Sequence, residues 1–282
     1  MSEQQGLDWT GERFVTGIKD ASALEHIHRY AVAAGMVSGK IVLDIASGEG
    51  YGSNLLAQSA KQVTGVDVSS EAVSHATKKY QRKNLSFIKG SADKIPLGDG
   101  ICDVVVSFET LEHIHAQDEM ICEIKRVLKK DGIMIMSTPE KFTWSDKMHH
   151  KNEYHVKELY KEQFVDLVKR FFKNYIFMSQ KLVFSSLIVP EKKINSYHEY
   201  SGNYKEVTSI DHMGTPRFNI VIASDYDIQE KGCSVFLGDM DPESFNMDPA
   251  GIRKSGSYRI GYFLVTPYRF IKKILKTLKI LK

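Results

Sequence analysis

Short unbroken apolar runs alternate with longer stretches of helical period along the first two thirds of the chain. The runs fall at 40–45, 62–67, 86–88, 103–108 and 133–137. None alternates apolar with polar, which is the pattern of strands covered by helices on both faces. Between them the 3.6-residue period predicts helices at about 51–60, 70–81 and 117–129, and a further one at 157–172 carrying Leu159, Phe164, Leu167, Val168 and Phe171. Gly132, after Lys129-Lys130-Asp131, reads as a helix stop. Upstream, Leu24, Ile27, Val32 and Met36 predict a helix over 23–37. Two more apolar strands are expected at about 175–188 and 218–224, with a loop or insertion at 190–216 between them. Strands alternating with helices imply an α/β fold with a mostly parallel sheet.

The first strand ends in Asp44 and runs into Gly48-Glu49-Gly50-Tyr51-Gly52, and the second ends in Asp67. A strand, a glycine loop, a helix and a second strand tipped with a carboxylate make a nucleotide-binding unit. Glycine lets the backbone approach a ligand closely, and a terminal carboxylate can accept both ribose hydroxyls. An adenosine-containing cofactor follows, and two kinds compete. A dinucleotide needs G-x-G-x-x-G, so that its pyrophosphate rests on the helix N-terminus. Here the spacing is G-x-G-x-G behind an acid, Asp44. That carboxylate would repel a pyrophosphate but accept from a cationic amino group.

The run D-x-x-x-G-x-G, then Asp67, then Ser91-Ala92-Asp93, resembles the class I S-adenosylmethionine-dependent methyltransferases. The resemblance implies a Rossmann-like fold, with a seven-stranded, mostly parallel sheet, helices on both faces and the two late strands as its antiparallel finish. It also implies S-adenosylmethionine as cofactor, S-adenosylhomocysteine as product, and contacts from Asp44, Ala46, Gly48, Gly50, Tyr51, Asp67, Val68, Ala92 and Asp93, the last facing the adenine amino group. Arg29, with Arg13 and His28, either closes over the cofactor carboxylate or acceptor, where an arginine fork suits two oxygens, or belongs to a surface helix packed on the core.

Further stretches (WTGERF at 9–14, LEHIHRY at 24–30, SFETLEHI at 107–114, RVLKKDGIMIMSTP at 126–139 and NEYHVKELYKEQF at 152–164) are similar to bacterial methyltransferases encoded with surface-polysaccharide functions. They imply O-methyl transfer to a sugar hydroxyl of a surface glycan, lipopolysaccharide included, or its precursor. Alternatives are a methyltransferase for a lipid-soluble molecule such as a quinone precursor, and a non-catalytic cofactor-binding subunit.

A sugar hydroxyl is a poor nucleophile and needs a base, worth about 10²–10⁴-fold, or a metal. Glu109, Glu112 and His113 follow the fourth strand at the carboxyl edge of the sheet, and His155 follows the fifth. Glu109, His113 and His155 are the catalytic candidates. All four residues could hold a divalent metal such as Mg, an arrangement that resembles the Glu-x-x-Glu-His set of metal-dependent small-RNA 2′-O-methyltransferases. A histidine base without metal, and purely structural roles, stay open. His149 and His150 read as polar loop residues.

The composition is that of a soluble globular protein of 282 residues and net charge +3. No apolar run is long enough to cross a bilayer and no signal peptide is evident, so a cytoplasmic location is expected. Cys102, Cys122 and Cys233 lack metal or redox spacing and are expected to be buried thiols. The expected organisation is a helical lid at 1–38, a core at 39–225, an extension at 226–266 and a basic amphipathic tail helix at 267–282, which holds six cations and no acid. That tail suits peripheral contact with an anionic inner leaflet, or packing on the protein or a partner. Nucleic acid is disfavoured, because no basic, aromatic-laced groove is evident outside the tail. Oligomeric state is left open.

Overall fold

The computed structural model describes residues 14–16, 21–149, 151–183, 197–202, 204, 206–229 and 232–236. Arg13 and most of the expected lid before 21, His150, residues 190–196, 203 and 205 of the 190–216 segment, most of the expected extension at 226–266 and the tail at 267–282 lie outside the described residues.

The elements run α1 (Ala21–Ala34), β1 (Ile41–Ile45), α2 (Tyr51–Leu56), β2 (Gln62–Asp67), α3 (Ser70–Lys79), β3 (Leu85–Lys89), β4 (Cys102–Phe108), α4 (Gln117–Val127), β5 (Leu128–Pro139), α5 (Lys161–Phe171), β6 (Asn174–Gln180), β7 (Glu199–Gly202), β8 (Val207–Ile210) and β9 (Phe218–Ser224). Seven strands form one sheet in the order β3-β2-β1-β4-β5-β9-β6. The first five are parallel, and β9 runs antiparallel to both β5 and β6. This is the expected architecture.

The apolar runs divide between two cores. Val42, Val104, Val106 and Ile135 face one way, with Tyr30 and Leu56 from α1 and α2. Leu43, Ile45, Val105 and Met134 face the other, with Ile121 and Ile124 from α4 and Phe164 and Val168 from α5. Successive side chains point to opposite faces, so a strand covered on both sides has to be apolar throughout. Helix α3 is framed by its ends. The Ser69 hydroxyl accepts from the Ala72 N–H at 3.2 Å, Glu71 sits in the first turn, and Lys78 and Lys79 in the last, as capping and the helix dipole favour.

Some boundaries differ from expectation. Helix α2 stops at Leu56, because the N–H groups of Gln58 and Ser59 turn back to the carbonyls three residues earlier, tightening the chain before β2. Strand β5 starts at Leu128, which pairs with Cys102 across a bulge. Helix α5 starts at Lys161 rather than 157, where the Gln163 side chain accepts from the Tyr160 N–H at 3.0 Å. The 155–157 backbone is bonded elsewhere. The described part of 190–216 is not plain loop but the antiparallel hairpin β7–β8. Cys102 is buried, and burial pushes its thiol up to about 11, but Cys122 and Cys233 are exposed, contrary to expectation. Cys122 is the outward position of α4, and its neighbour Ile121 the inward one. Among the described residues no helix is long and apolar enough to cross a membrane.

Candidate functional site

The carboxyl ends of β3, β2 and β1 lie side by side and carry the predicted cofactor stations in that order. The glycine loop leaves β1 through Ala46, which takes a left-handed φ of 56°, and Gly50 caps α2 at φ 91°. A Cβ on Gly50 would stand 2.8 Å from Ala76 and from Phe87, so the loop is seated on α3 and β3. Asp67 fastens it. Its Oδ2 accepts from the Gly48 N–H at 2.8 Å and its Oδ1 from the Ser69 N–H at 2.9 Å. Val68 beside it is 69% exposed, an apolar face held open at the sheet edge. Ala92 is buried, and Asp93 is exposed on a tight turn after β3, taking a hydrogen bond from the Ser91 hydroxyl.

Asp44 lies beneath the loop, fully buried. Its carboxylate accepts from the Ser53 hydroxyl at 2.6 Å and the Tyr30 hydroxyl at 3.1 Å. Burial outweighs these two bonds and pushes its pKa up to about 7. Tyr51 turns toward α1, where its hydroxyl meets His26 Nδ1 at 3.0 Å. Sequence reasoning missed Glu49. Its buried carboxylate is held by Lys79, by the Tyr80 hydroxyl at 2.9 Å and by Thr16, whose hydroxyl donates at 2.7 Å. These bonds draw its pKa down against burial.

Arg29 is neither exposed nor on a surface helix face, at 2% exposure. Nη1 donates to Gln180 Oε1 at 2.8 Å and lies 3.9 Å from Glu109 Oε1, and the guanidinium sits 4.7 Å above the Phe218 ring. Its Nε and Nη2 have no hydrogen-bond partner among the described residues. Buried donors of this kind are normally satisfied. Two spare donors on a buried cation fit the carboxylate of S-adenosylmethionine.

Beyond β4 the chain turns sharply. Glu109 adopts a left-handed φ of 52° and accepts from the Ser137 hydroxyl at 2.5 Å. Such a conformation in a non-glycine residue costs about 1–3 kcal/mol and clusters at functional sites. Glu112 is buried and accepts from the Thr138 hydroxyl at 2.9 Å. Burial and the Glu109 charge raise its pKa well above the ordinary value. The Glu112 carbonyl takes the N–H groups of Val156 and Lys157 at 2.9 and 3.0 Å, which draws the 152–158 loop over the same edge.

That loop brings His155 to His113, ring centroids 5.0 Å apart and edge to face. His113 Nδ1 meets the Tyr154 carbonyl at 2.9 Å, and His155 Nδ1 meets Glu158 Oε1 at 2.6 Å. A carbonyl and a carboxylate only accept, so each Nδ1 carries a proton, and Nε2 is the basic nitrogen in the neutral ring. Trp144 stacks on His155 at 6.2 Å, and the Arg217 guanidinium lies 4.4 Å from the Trp144 ring centre. Glu158, Trp144 and Arg217 were not foreseen. Only Glu158, three residues from His155, offered a local pattern to find.

Glu112, His113 and His155 each offer a ligand atom within 4.8 Å of the others. Glu109 is not of this group, because it turns to Ser137 and Arg29. Of the four residues expected from sequence to be able to hold a metal, three therefore lie together. Two nitrogens and one oxygen suit a first-row transition metal better than the all-oxygen octahedron Mg prefers. His155 also borders a cavity of about 700 Å³, with Lys141, His149, Asn152 and Lys157 among its walls.

Residues 43–136, which span β1 to β5, match the family described as "Methyltransferase domain". A "Probable S-adenosylmethionine-dependent methyltransferase" of Mycolicibacterium smegmatis is 32% identical over 166 residues, 58% of this chain and 64% of that protein. A "Fatty-acid O-methyltransferase" of the same organism is 27% identical over 124 residues, covering 40% of this chain and 45% of that one. The chain thus spans under two thirds of the length of these curated relatives. An S-adenosylmethionine-dependent methyltransferase from Thermotoga maritima shares the fold, with TM-score 0.51 and 16% identity over 72% of this chain and 90% of that one. The fold is the Rossmann-like methyltransferase fold. The match to that methyltransferase domain family falls on the part of the chain that carries the glycine loop and Asp67.

Proposed function

We propose that the chain is an O-methyltransferase that moves the methyl group of S-adenosylmethionine to a sugar hydroxyl of a bacterial surface glycan or its precursor. The observation that carries this reading is the polar cavity bordered by His155, with His113 in contact behind it. Bound S-adenosylmethionine supplies a methyl group already activated by a sulfonium. The residues of the chain then have to align the acceptor and remove one proton. Asp44 and Arg29 suit the amino and carboxylate ends of the cofactor, and Asp67 its ribose. Across the edge, His155 Nε2 would take the hydroxyl proton as the oxygen–carbon bond forms and the methyl–sulfur bond breaks, with S-adenosylhomocysteine as the leaving group. Glu158, on the opposite nitrogen, orients the ring and stabilises the imidazolium. His113 flanks it, and Glu109, tied to Ser137, borders the same edge.

A metal-assisted variant is favoured by the clustering of Glu112, His113 and His155. A divalent cation held there would stabilise the developing alkoxide. The likeness to a fatty-acid O-methyltransferase favours a second acceptor class, a lipid hydroxyl or carboxyl. Peripheral membrane contact through 267–282 belongs to either reading and rests on the sequence of that tail.

Transfer of labelled methyl to a panel of glycan and lipid acceptors, with and without a chelator, tests these readings. Label in glycan that survives chelation is expected of the histidine base. Loss with chelator moves the chemistry to the metal. Label confined to lipid overturns the sugar acceptor.

A further inference from the structure

We propose that the cavity beside His155 is an anion site for a pyrophosphate or phosphate group on the acceptor, so that the sugar is methylated while still carried on phosphate. This rests on the methyl-transfer reading above and adds the acceptor's chemical class. The cavity of about 700 Å³ falls within the range of small-molecule sites, about 300–1,000 Å³. Lys141, Lys151 and Lys157 line it, and among the described residues none of them forms an ion pair with a carboxylate.

The two acids in its walls are engaged by their own neighbours. Asp146 accepts from the Tyr160 hydroxyl at 2.7 Å, and Glu158 from His155 at 2.6 Å. Neither acid turns to a lysine, so three ammonium groups share one concavity, with a formal excess of one positive charge over Asp146 and Glu158. Such a concentration of like charge raises the local potential and attracts an anion. A phosphate or pyrophosphate brings more than one negative charge and several acceptor oxygens.

The backbone that carries the lysines is anchored to the chemistry. The Lys157 N–H donates to the Glu112 carbonyl at 3.0 Å, and its own carbonyl accepts from Gln117 Nε2 at 2.9 Å. The Lys141 N–H donates to the Leu159 carbonyl at 3.2 Å, and its ammonium lies 4.8 Å from the Tyr160 ring centre. An anion gripped here is held at a fixed distance from His155, which borders the same cavity. Asn152 adds an amide to the wall, suited to a neutral hydroxyl beside the charge.

Inorganic pyrophosphate is the probe, titrated by calorimetry into the full chain saturated with S-adenosylhomocysteine. Binding is expected, tighter at low salt, and weakened about tenfold by each of Lys141→Gln, Lys151→Gln and Lys157→Gln. S-adenosylhomocysteine affinity should stay unchanged in every variant, which also shows that they fold. No binding, or equal binding to the triple variant, overturns the proposal. Displacement of pyrophosphate by a nucleoside diphosphate sugar assigns a soluble carrier. Displacement only by a pyrophosphate-linked lipid sugar in neutral vesicles assigns a lipid carrier, and displacement by neither overturns the proposal. Pyrophosphate binding needs no turnover, so this result stands or falls separately from methyl transfer.

Discussion

The Tyr30 hydroxyl reaches through the core to Asp44, 3.1 Å from its Oδ1, so helix α1 helps hold the one acid buried under the cofactor loop. Burial raises the Asp44 pKa from 3.8 to about 7, so the folded chain keeps a proton there that the unfolded chain has lost. Between about pH 4 and 7 the unfolded state binds fewer protons at this site, and its contribution to stability falls as pH rises. Asp44→Asn removes that dependence. In the cofactor-free protein, the stability of the variant relative to the natural chain should therefore grow from pH 5 to pH 7.5, measured by urea unfolding. The amide also lacks the charge proposed to meet the cofactor's amino group, so S-adenosylmethionine affinity should drop about tenfold or more. A stability difference independent of pH would contradict the buried proton.

The same tyrosine makes Gly52 irreplaceable. A Cβ there would stand 1.9 Å from the Tyr30 ring, whereas a Cβ on Gly39 would meet nothing within 4 Å. Gly52→Ala should destabilise the fold by about 1–3 kcal/mol through overpacking and weaken cofactor binding by moving Tyr30 off Asp44. Gly39→Ala should cost less, and only through its φ of 69°. Thermal unfolding of both variants, with and without S-adenosylhomocysteine, separates the two effects. Ligand stabilisation should shrink for Gly52→Ala alone.

Arg29 makes a sharper case, because its two spare donors are the only observation that ties α1 to the cofactor carboxylate. Arg29→Lys keeps the charge near Glu109 but loses the planar fork. Calorimetry should show S-adenosylhomocysteine binding weakened about tenfold or more, with decarboxylated S-adenosylmethionine, which lacks that carboxylate, much less affected. Equal losses for both ligands would mean that Arg29 acts only as a structural cation.

The layout of the glycine loop and the β2 edge was legible because it is local. Asp44, Gly48 and Gly50 sit within one turn of chain, and Asp67 ends the next strand, so spacing alone placed them. The five parallel strands were legible for a related reason, since a strand covered on both faces has no room for polar residues. What stayed hidden depends on long separations. Arg29 meets Gln180 across 151 residues, and Glu49 meets Lys79 across 30. An arginine in an amphipathic helix looks solvated until its buried partner is known. Leu159 misled the start of α5 for the opposite reason. It is buried without being helical, because the loop before it is pinned to the Glu112 carbonyl.

That pinned loop puts the assignment of the base within reach of experiment. His155 and His113 are in edge contact, but His155 Nδ1 meets a carboxylate, Glu158 at 2.6 Å, whereas His113 Nδ1 meets the Tyr154 carbonyl and its Nε2 lies 3.8 Å from Glu112 Oε1. If His155 is the base, His155→Gln should lower kcat by about 10²–10⁴-fold and leave S-adenosylmethionine binding intact. Glu158→Gln keeps the shape but can present its amide N–H to the ring, which favours the tautomer with the proton on Nε2 and removes the stabilisation of the imidazolium. It should lower kcat about tenfold or more, with KM for the cofactor unchanged. His113→Gln should be milder, because its Nδ1 rests on the Tyr154 carbonyl and the Glu112 carboxylate, 3.8 Å away, lies on the Nε2 side that would have to take the proton. Steady-state kinetics of the three variants decides. A larger loss in His113→Gln than in His155→Gln would transfer the role, and equal losses in both, reversed by added Mn²⁺, would make the pair metal ligands.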